Sequence, residues 1–148
     1  MSSDPSNLQQ FLSEAQDCAV AMKNTAAYIE NELPNVSIEE PTLSKLIALL
    51  PRLAGTGHTV YESVTLLHAL QIPAGKKIDQ RGLISDVVQR TSSVLLELNE
   101  IVGSLSEASQ RDPTRSLAFV LVAESAVNIL NPFHRASAAA DRLVAELS

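Results

Sequence analysis

The stretch LSKLIALLPRLAGTGHTVYESVTLL, Leu43 to Leu67, decides the fold. Its apolar positions are Leu43, Leu46, Leu50, Leu53, Val60, Val64 and Leu67, with Gly57 in phase, so steps of three and four alternate without a break. That spacing lines one face of an α-helix. Pro51 sits inside the run, where it removes an amide donor and its ring crowds the preceding turn. The phase survives Pro51, Gly55 and Gly57 all the same. One long helix bent near Pro51 fits this better than two short ones.

Upstream, Asp4-Pro5 offers a cap followed by proline at the first helical position. Leu8, Phe11, Ala15, Cys18, Met22, Ala26, Ile29 and Leu33 then repeat the helical step, and Leu33-Pro34-Asn35 stops it. Ser37 and Glu40 have the spacing of a capping box ahead of Pro41. Downstream, Ile84, Val87, Thr91, Val94, Leu98, Ile101, Leu105 and Ala108 form the most regular stripe in the chain. Asp112-Pro113 repeats the cap-plus-proline start. The last stripe follows through Phe119, Ala123, Ala126, Leu130, Phe133, Ser137, Ala140, Val144 and Leu147, with Val122, Ile129, Ala136 and Leu143 broadening its face and Pro132 outside it, its ring free to face solvent.

No segment alternates with period two, so the sequence predicts an all-α fold. Helices are expected over about 5–33, 41–71, 80–110 and 113–147, in one domain spanning 1–148. Helices of about thirty residues are ~45 Å long, and short links force neighbours to run antiparallel. The expected architecture is an up-down-up-down four-helix bundle, with helices 2 and 4 kinked at Pro51 and Pro132. A domain of 148 residues buries roughly 70% of its unfolded surface, enough for a core without a staple. Small residues such as Gly57, Ala123, Ala126, Ser137 and Ala140 on the stripes imply close packing, a cavity or a groove.

Composition narrows the function. The lone cysteine, Cys18, has no intrachain partner, and the N-terminus has neither a basic start nor an apolar run. Both point to a reducing, cytoplasmic setting. The charge-free apolar run Leu117–Ala123 is far short of the ~20 residues of a membrane span, so none is expected. A net charge of -6 with scattered Lys and Arg disfavours nucleic acid. No nucleophile elbow, phosphate-cradling glycine loop or Glu-x-x-His pair is present. An enzyme, a cofactor and a metal are therefore not expected.

Three local features bear chemistry. In LLHALQIPAGKK, Leu66 to Lys77, His68, Leu70 and Pro73 match positions of a box that resembles the phosphoacceptor motif of sensor histidine kinases. The resemblance implies phosphotransfer through His68, while Ala69, Gln71 and Ala74 depart from it and the acidic neighbour that orients the imidazole is missing. The ordinary reading is a helix end, with proline and glycine as stop signals. Asn131-Pro132-Phe133 resembles the NPF ligand of Eps15-homology domains, which implies a partner that envelops the phenylalanine; as a stripe residue Phe133 is instead core beside a proline. His58 and Glu62 share one helix face at i,i+4, as a surface ion pair. Lys76, Lys77 and Arg81 make a basic cluster between helices 2 and 3.

The expected function is a non-catalytic adaptor or scaffold that binds another protein, or a second copy of itself, through an apolar face of helices 2 and 4. Pro51, Gly57, Lys76, Lys77, Arg81, Pro132 and Phe133 are the candidate partner-binding residues. Phosphotransfer at His68 and a lipophilic ligand in the bundle core are the alternatives.

Overall fold

The computed structural model describes residues 5–70 and 77–147. Four α-helices account for almost all of them: α1 (Pro5–Glu32), α2 (Thr42–Leu70), α3 (Lys77–Arg111) and α4 (Ser116–Leu147). Short 3-10 turns at Leu33–Asn35 and Pro113–Arg115 follow α1 and precede α4. Among the described residues there is no strand. The four helices pack against one another as an all-α bundle. α1 lies against α2 and α4, and α3 lies against the same two.

Local chemistry sets the helix ends. The Asp112 carboxylate accepts hydrogen bonds from the Thr114 hydroxyl at 2.8 Å and the Thr114 amide at 3.1 Å, capping the turn that leads into α4. Those bonds hold the Asp112 carboxyl below the usual carboxylate range. The capping box expected from Ser37 and Glu40 does not form. Residues 37–39 have no regular secondary structure, so the two side chains do not share a helical turn. Glu40 instead accepts from the Ser44 hydroxyl, one turn into α2. The start of α3 lies earlier than the expected residue 80, and this places Lys77 and Arg81 within the helix rather than in a link.

The stripes of α2 and α3 are the core. Leu46, Leu50, Leu53, Val60, Val64 and Leu67 are buried, as is every stripe position of α3 from Ile84 to Ala108. One continuous apolar cluster joins them to α1 and α4 through side chains such as Phe11, Met22, Val122 and Ile129. Each large buried side chain contributes about 1.5–3 kcal/mol relative to exposure. Pro51 and Pro132 both lie inside unbroken α-helices.

In α4 the buried face centres on Val122, Ile129, Ala136 and Leu143, the residues that broaden the expected stripe, and keeps Ala126 and Ala140 of the stripe itself. Ala118, Val122, Ser125, Ile129, Pro132, Ala136, Ala139 and Leu143 are buried, whereas Phe119, Leu130, Phe133 and Ser137 are half-buried along one flank. Pro132 therefore faces inward and not to solvent. α4 thus buries small residues at Ala118, Ala136 and Ala139, while Phe119 and Phe133 are only half-buried. Polar pairs mark the α1–α4 register: Glu14 with Arg135 at 2.8 Å, Gln10 with Arg142 at 3.0 Å, and Asn7 with Glu146.

By length and composition, Pro113–Glu146 is also apolar enough to cross a membrane. Only Glu124 carries charge between Ser116 and Phe133. Core helices meet the same criterion, and here Val122 and Ile129 are fully buried in the bundle core.

Candidate functional site

One groove lies between α2 and α3; a wider depression of about 560 Å³ lies between α3 and α4. Thr42, Lys45, Ala48, Leu49 and Arg52 of α2 face Glu97, Glu100, Ile101 and Ser104 of α3 around a groove of about 300 Å³. Helical spacing explains the arrangement. Lys45, Ala48 and Arg52 recur at steps of three and four on the rim of α2, as do Glu97, Glu100 and Ser104 on the rim of α3. Leu49, beside the leucine stripe of α2, and Ile101, in the stripe of α3, are buried and give the groove an apolar floor.

One end is closed by a forked ion pair. Arg52 Nη1 donates to Glu97 Oε1 at 2.7 Å, and Nη2 donates to Oε2. The hydrogen bonds from Arg52 hold the Glu97 carboxyl below the ordinary glutamate value. At the other end the groove runs into a depression of about 220 Å³, which shares Thr42, Lys45 and Ser104 and reaches Glu107, Arg111 and the 37–41 link. Arg115 Nε lies 3.0 Å from Glu39 Oε1 and 3.6 Å from Asp112 Oδ2 there. These contacts are ionic and not aligned as hydrogen bonds.

The residues singled out from the sequence do not converge on one place. Pro51 is exposed on α2, and Gly57 is buried against α1. Arg81 is exposed in the second turn of α3, Lys77 opens that helix, and Lys76 lies outside the described residues together with the Ile72–Gly75 stop signal. Pro132 is buried, and Phe133 packs half-buried against the core with its ring 6.0 Å from that of His134. Asn131-Pro132-Phe133 thus lies within a continuous helix, not in a turn. Because α2 and α4 each pack on α1 and α3, the grooves fall between α2 and α3 and between α3 and α4.

His68 is exposed in the last turn of α2, at the edge of a shallow depression of about 230 Å³ with Leu12, Gln16 and Tyr61. His58 Nε2 lies 2.5 Å from Glu62 Oε1, and both side chains are well exposed. Cys18 is buried, its thiol 3.9 Å from the Ile129 carbonyl oxygen, and burial pushes the thiol up to about 12. Beside it a void of about 10 Å³ is bounded by Ala15, Val60, Thr91, Phe133 and Ala136. That is room for one water at most. Among the described residues no three His, Cys, Asp or Glu side chains cluster as metal ligands.

Comparison with protein-family models, with curated proteins and with solved structures finds no match. Lys45, Arg52, Glu97 and Glu100 are the groove residues that sequence reasoning missed. Their charge was legible, but which helix faces which is a property of packing.

Proposed function

We propose that this chain is a non-catalytic interaction module, an adaptor or scaffold, that binds another protein through the groove between α2 and α3. The observation that carries the reading is the groove itself: an apolar floor of Leu49 and Ile101 between two polar walls, with a volume at the lower limit of specific binding sites. Such a trough suits the apolar ridge of a helix or extended segment. The core void of about 10 Å³ is far smaller than a lipophilic ligand, which favours surface binding over enclosure.

The supporting architecture is an up-down-up-down four-helix bundle in one domain, with bends at Pro51 and Pro132. The descending α1–α4 pairs Asn7–Glu146, Gln10–Arg142 and Glu14–Arg135 support antiparallel neighbours. Proline inside a helix removes one backbone hydrogen bond and favours a bend. The unpaired, buried Cys18 supports a cytoplasmic setting.

Ala48 is exposed on the α2 wall, so Ala48→Trp fills the trough without touching the core. In affinity capture from cells that express the protein, the variant loses the wild-type partner and keeps its melting temperature. Undiminished capture by a stably folded Ala48→Trp variant contradicts the proposal.

A further inference from the structure

The side of the bundle formed by α1 and α4 exposes apolar side chains with few charges around them. On α4, Leu117, Val120, Glu124 and Val127 recur at steps of three and four and are exposed, Leu117 at 69%. On α1, Asp17, Asn24 and Tyr28 share one exposed face by the same spacing, with Tyr28 at 55%. These strips adjoin, because they continue the helix lines of Glu14 and Arg135, which bond each other across the α1–α4 contact. Extending the register set by Glu14–Arg135 and Cys18–Ile129 brings Asn24 level with Glu124 and Tyr28 level with Val120. Asp17 lies within one turn of the height of Arg135. Among the described residues neither Asp17 nor Glu124 is in an ion pair. None of the surface depressions described above opens between α1 and α4.

We propose that this side is covered by a second copy of the chain, in a two-fold dimer whose axis runs parallel to the helices. Such an axis preserves height and sets α1 of each copy on α4 of the other. Three contacts then match together, each of them twice. Tyr28 rests on Val120 and Leu117 of the second copy, the Asn24 amide donates to its Glu124, and Asp17 meets its Arg135. That self-match selects the occupant: the α1 and α4 strips complement each other, and a second copy presents both in the required register. A lipid surface would bury Asp17, Asn24 and Glu124 with nothing to pair them, at a desolvation cost. From Leu117 to Arg135 the face is ~27 Å long and ~20 Å wide, a footprint of roughly 500 Å² per copy against the ~800 Å² of a standard interface. The dimer is therefore weak and concentration-dependent. α2 and α3 form the opposite side of the bundle, so both α2–α3 grooves stay open and face away from each other. Each assembly then offers two docking sites, which raises avidity for a multivalent partner. The dimer itself does not depend on what the groove binds.

The test is sedimentation equilibrium of the full chain over a wide concentration series. Wild-type protein shows a monomer–dimer equilibrium. Tyr28→Lys and Val120→Glu each weaken it ~10-fold, because each sets a charge against an apolar side chain. Both side chains are exposed, so thermal melts of the variants match the wild type. Mixed in equal amounts, the two variants associate ~10-fold more tightly than either alone, because the introduced cation and carboxylate face each other at one contact while the other keeps its native pair. Ala48→Trp leaves the dimer unchanged. A strictly monomeric wild type, or a dimer insensitive to both substitutions, overturns the inference. A mixture no tighter than its components overturns it as well, since the two strips then do not meet. So does binding to phosphatidylcholine vesicles that Val120→Glu abolishes, which gives the face to a lipid surface. A dimer dissociated by Ala48→Trp places the interface at the α2–α3 groove and also overturns it.

Discussion

A β-carbon placed on Gly57 falls 2.8 Å from the carbonyl oxygen of Ala19, closer than such atoms approach in real proteins. It also meets Lys23 Cγ at 3.0 Å and Met22 Cβ at 3.2 Å. α1 and α2 cross with backbone against backbone at this point, and the glycine permits it. In an exposed helix, Gly→Ala gains roughly 1 kcal/mol of propensity. Here overpacking against backbone that cannot yield costs about 1–3 kcal/mol. Gly57→Ala therefore lowers stability, by up to about 2 kcal/mol net of that gain. Gly55 and Gly103 are helical, exposed and have open space, so the same change there raises stability by about 0.5–1 kcal/mol. Urea unfolding of the three variants checks the opposite signs.

The Arg52–Glu97 pair makes a pH-dependent prediction. The folded-state pKa of Glu97 is depressed, so the pair supports the fold above the unfolded glutamate value and this support fades as pH falls through the folded value. Titration of Glu97 by NMR gives a value below the ordinary one. Arg52→Gln restores the ordinary value, and added salt moves it part of the way. An unshifted Glu97 in the wild type means that the fork is not formed in solution.

Cys18 is predicted to be inert. With the thiol buried and raised to about 12, little thiolate exists at neutral pH and little of it is reachable. A disulfide reagent labels the native protein no faster than the chain unfolds, and labels it at once in urea. Cys18→Ala is tolerated better than Cys18→Leu, because the neighbouring void of about 10 Å³ has no room for two more carbons. Rapid labelling under native conditions contradicts the burial.

The two helix-interior prolines are predicted to respond differently. Pro51 is exposed, so Pro51→Ala restores a backbone donor at no packing loss and stabilises by about 1 kcal/mol or more. Pro132 is buried, so Pro132→Ala gains the same donor and loses ring contacts in the core, for a smaller net gain. Paired thermal melts distinguish the two.

Much of this bundle was legible in the residues. The leucine stripe from Leu46 to Leu67 and the stripe from Ile84 to Ala108 are buried position by position, because their steps of three and four hold one phase along each helix, while Ile47, Leu66 and Leu96 lie off that phase and are exposed. α4 was harder. Its apolar residues surround most of the helix, and the two phenylalanines drew the centre of the expected face toward Phe119 and Phe133, while Ala118 and Ala139, outside that face, turned out to be buried. Size misleads where helices approach closely, since the smallest residues then lie deepest. The Ser37–Glu40 spacing failed for a related reason: a capping box is a pattern in sequence, but it requires backbone that is already turning. The groove was not legible at all. Lys45 and Glu100 are ordinary surface charges until α2 is set beside α3.

The central claim is that the α2–α3 groove is where a partner docks. A photo-crosslinking amino acid at Ser104, on the groove rim, compared in cells with one at Ser13, exposed on α1, tests it most directly. A discrete adduct from position 104, absent from position 13 and abolished by Ala48→Trp, is the predicted result. Adducts of equal yield from both positions, or an adduct at 104 unaffected by filling the groove, would contradict it.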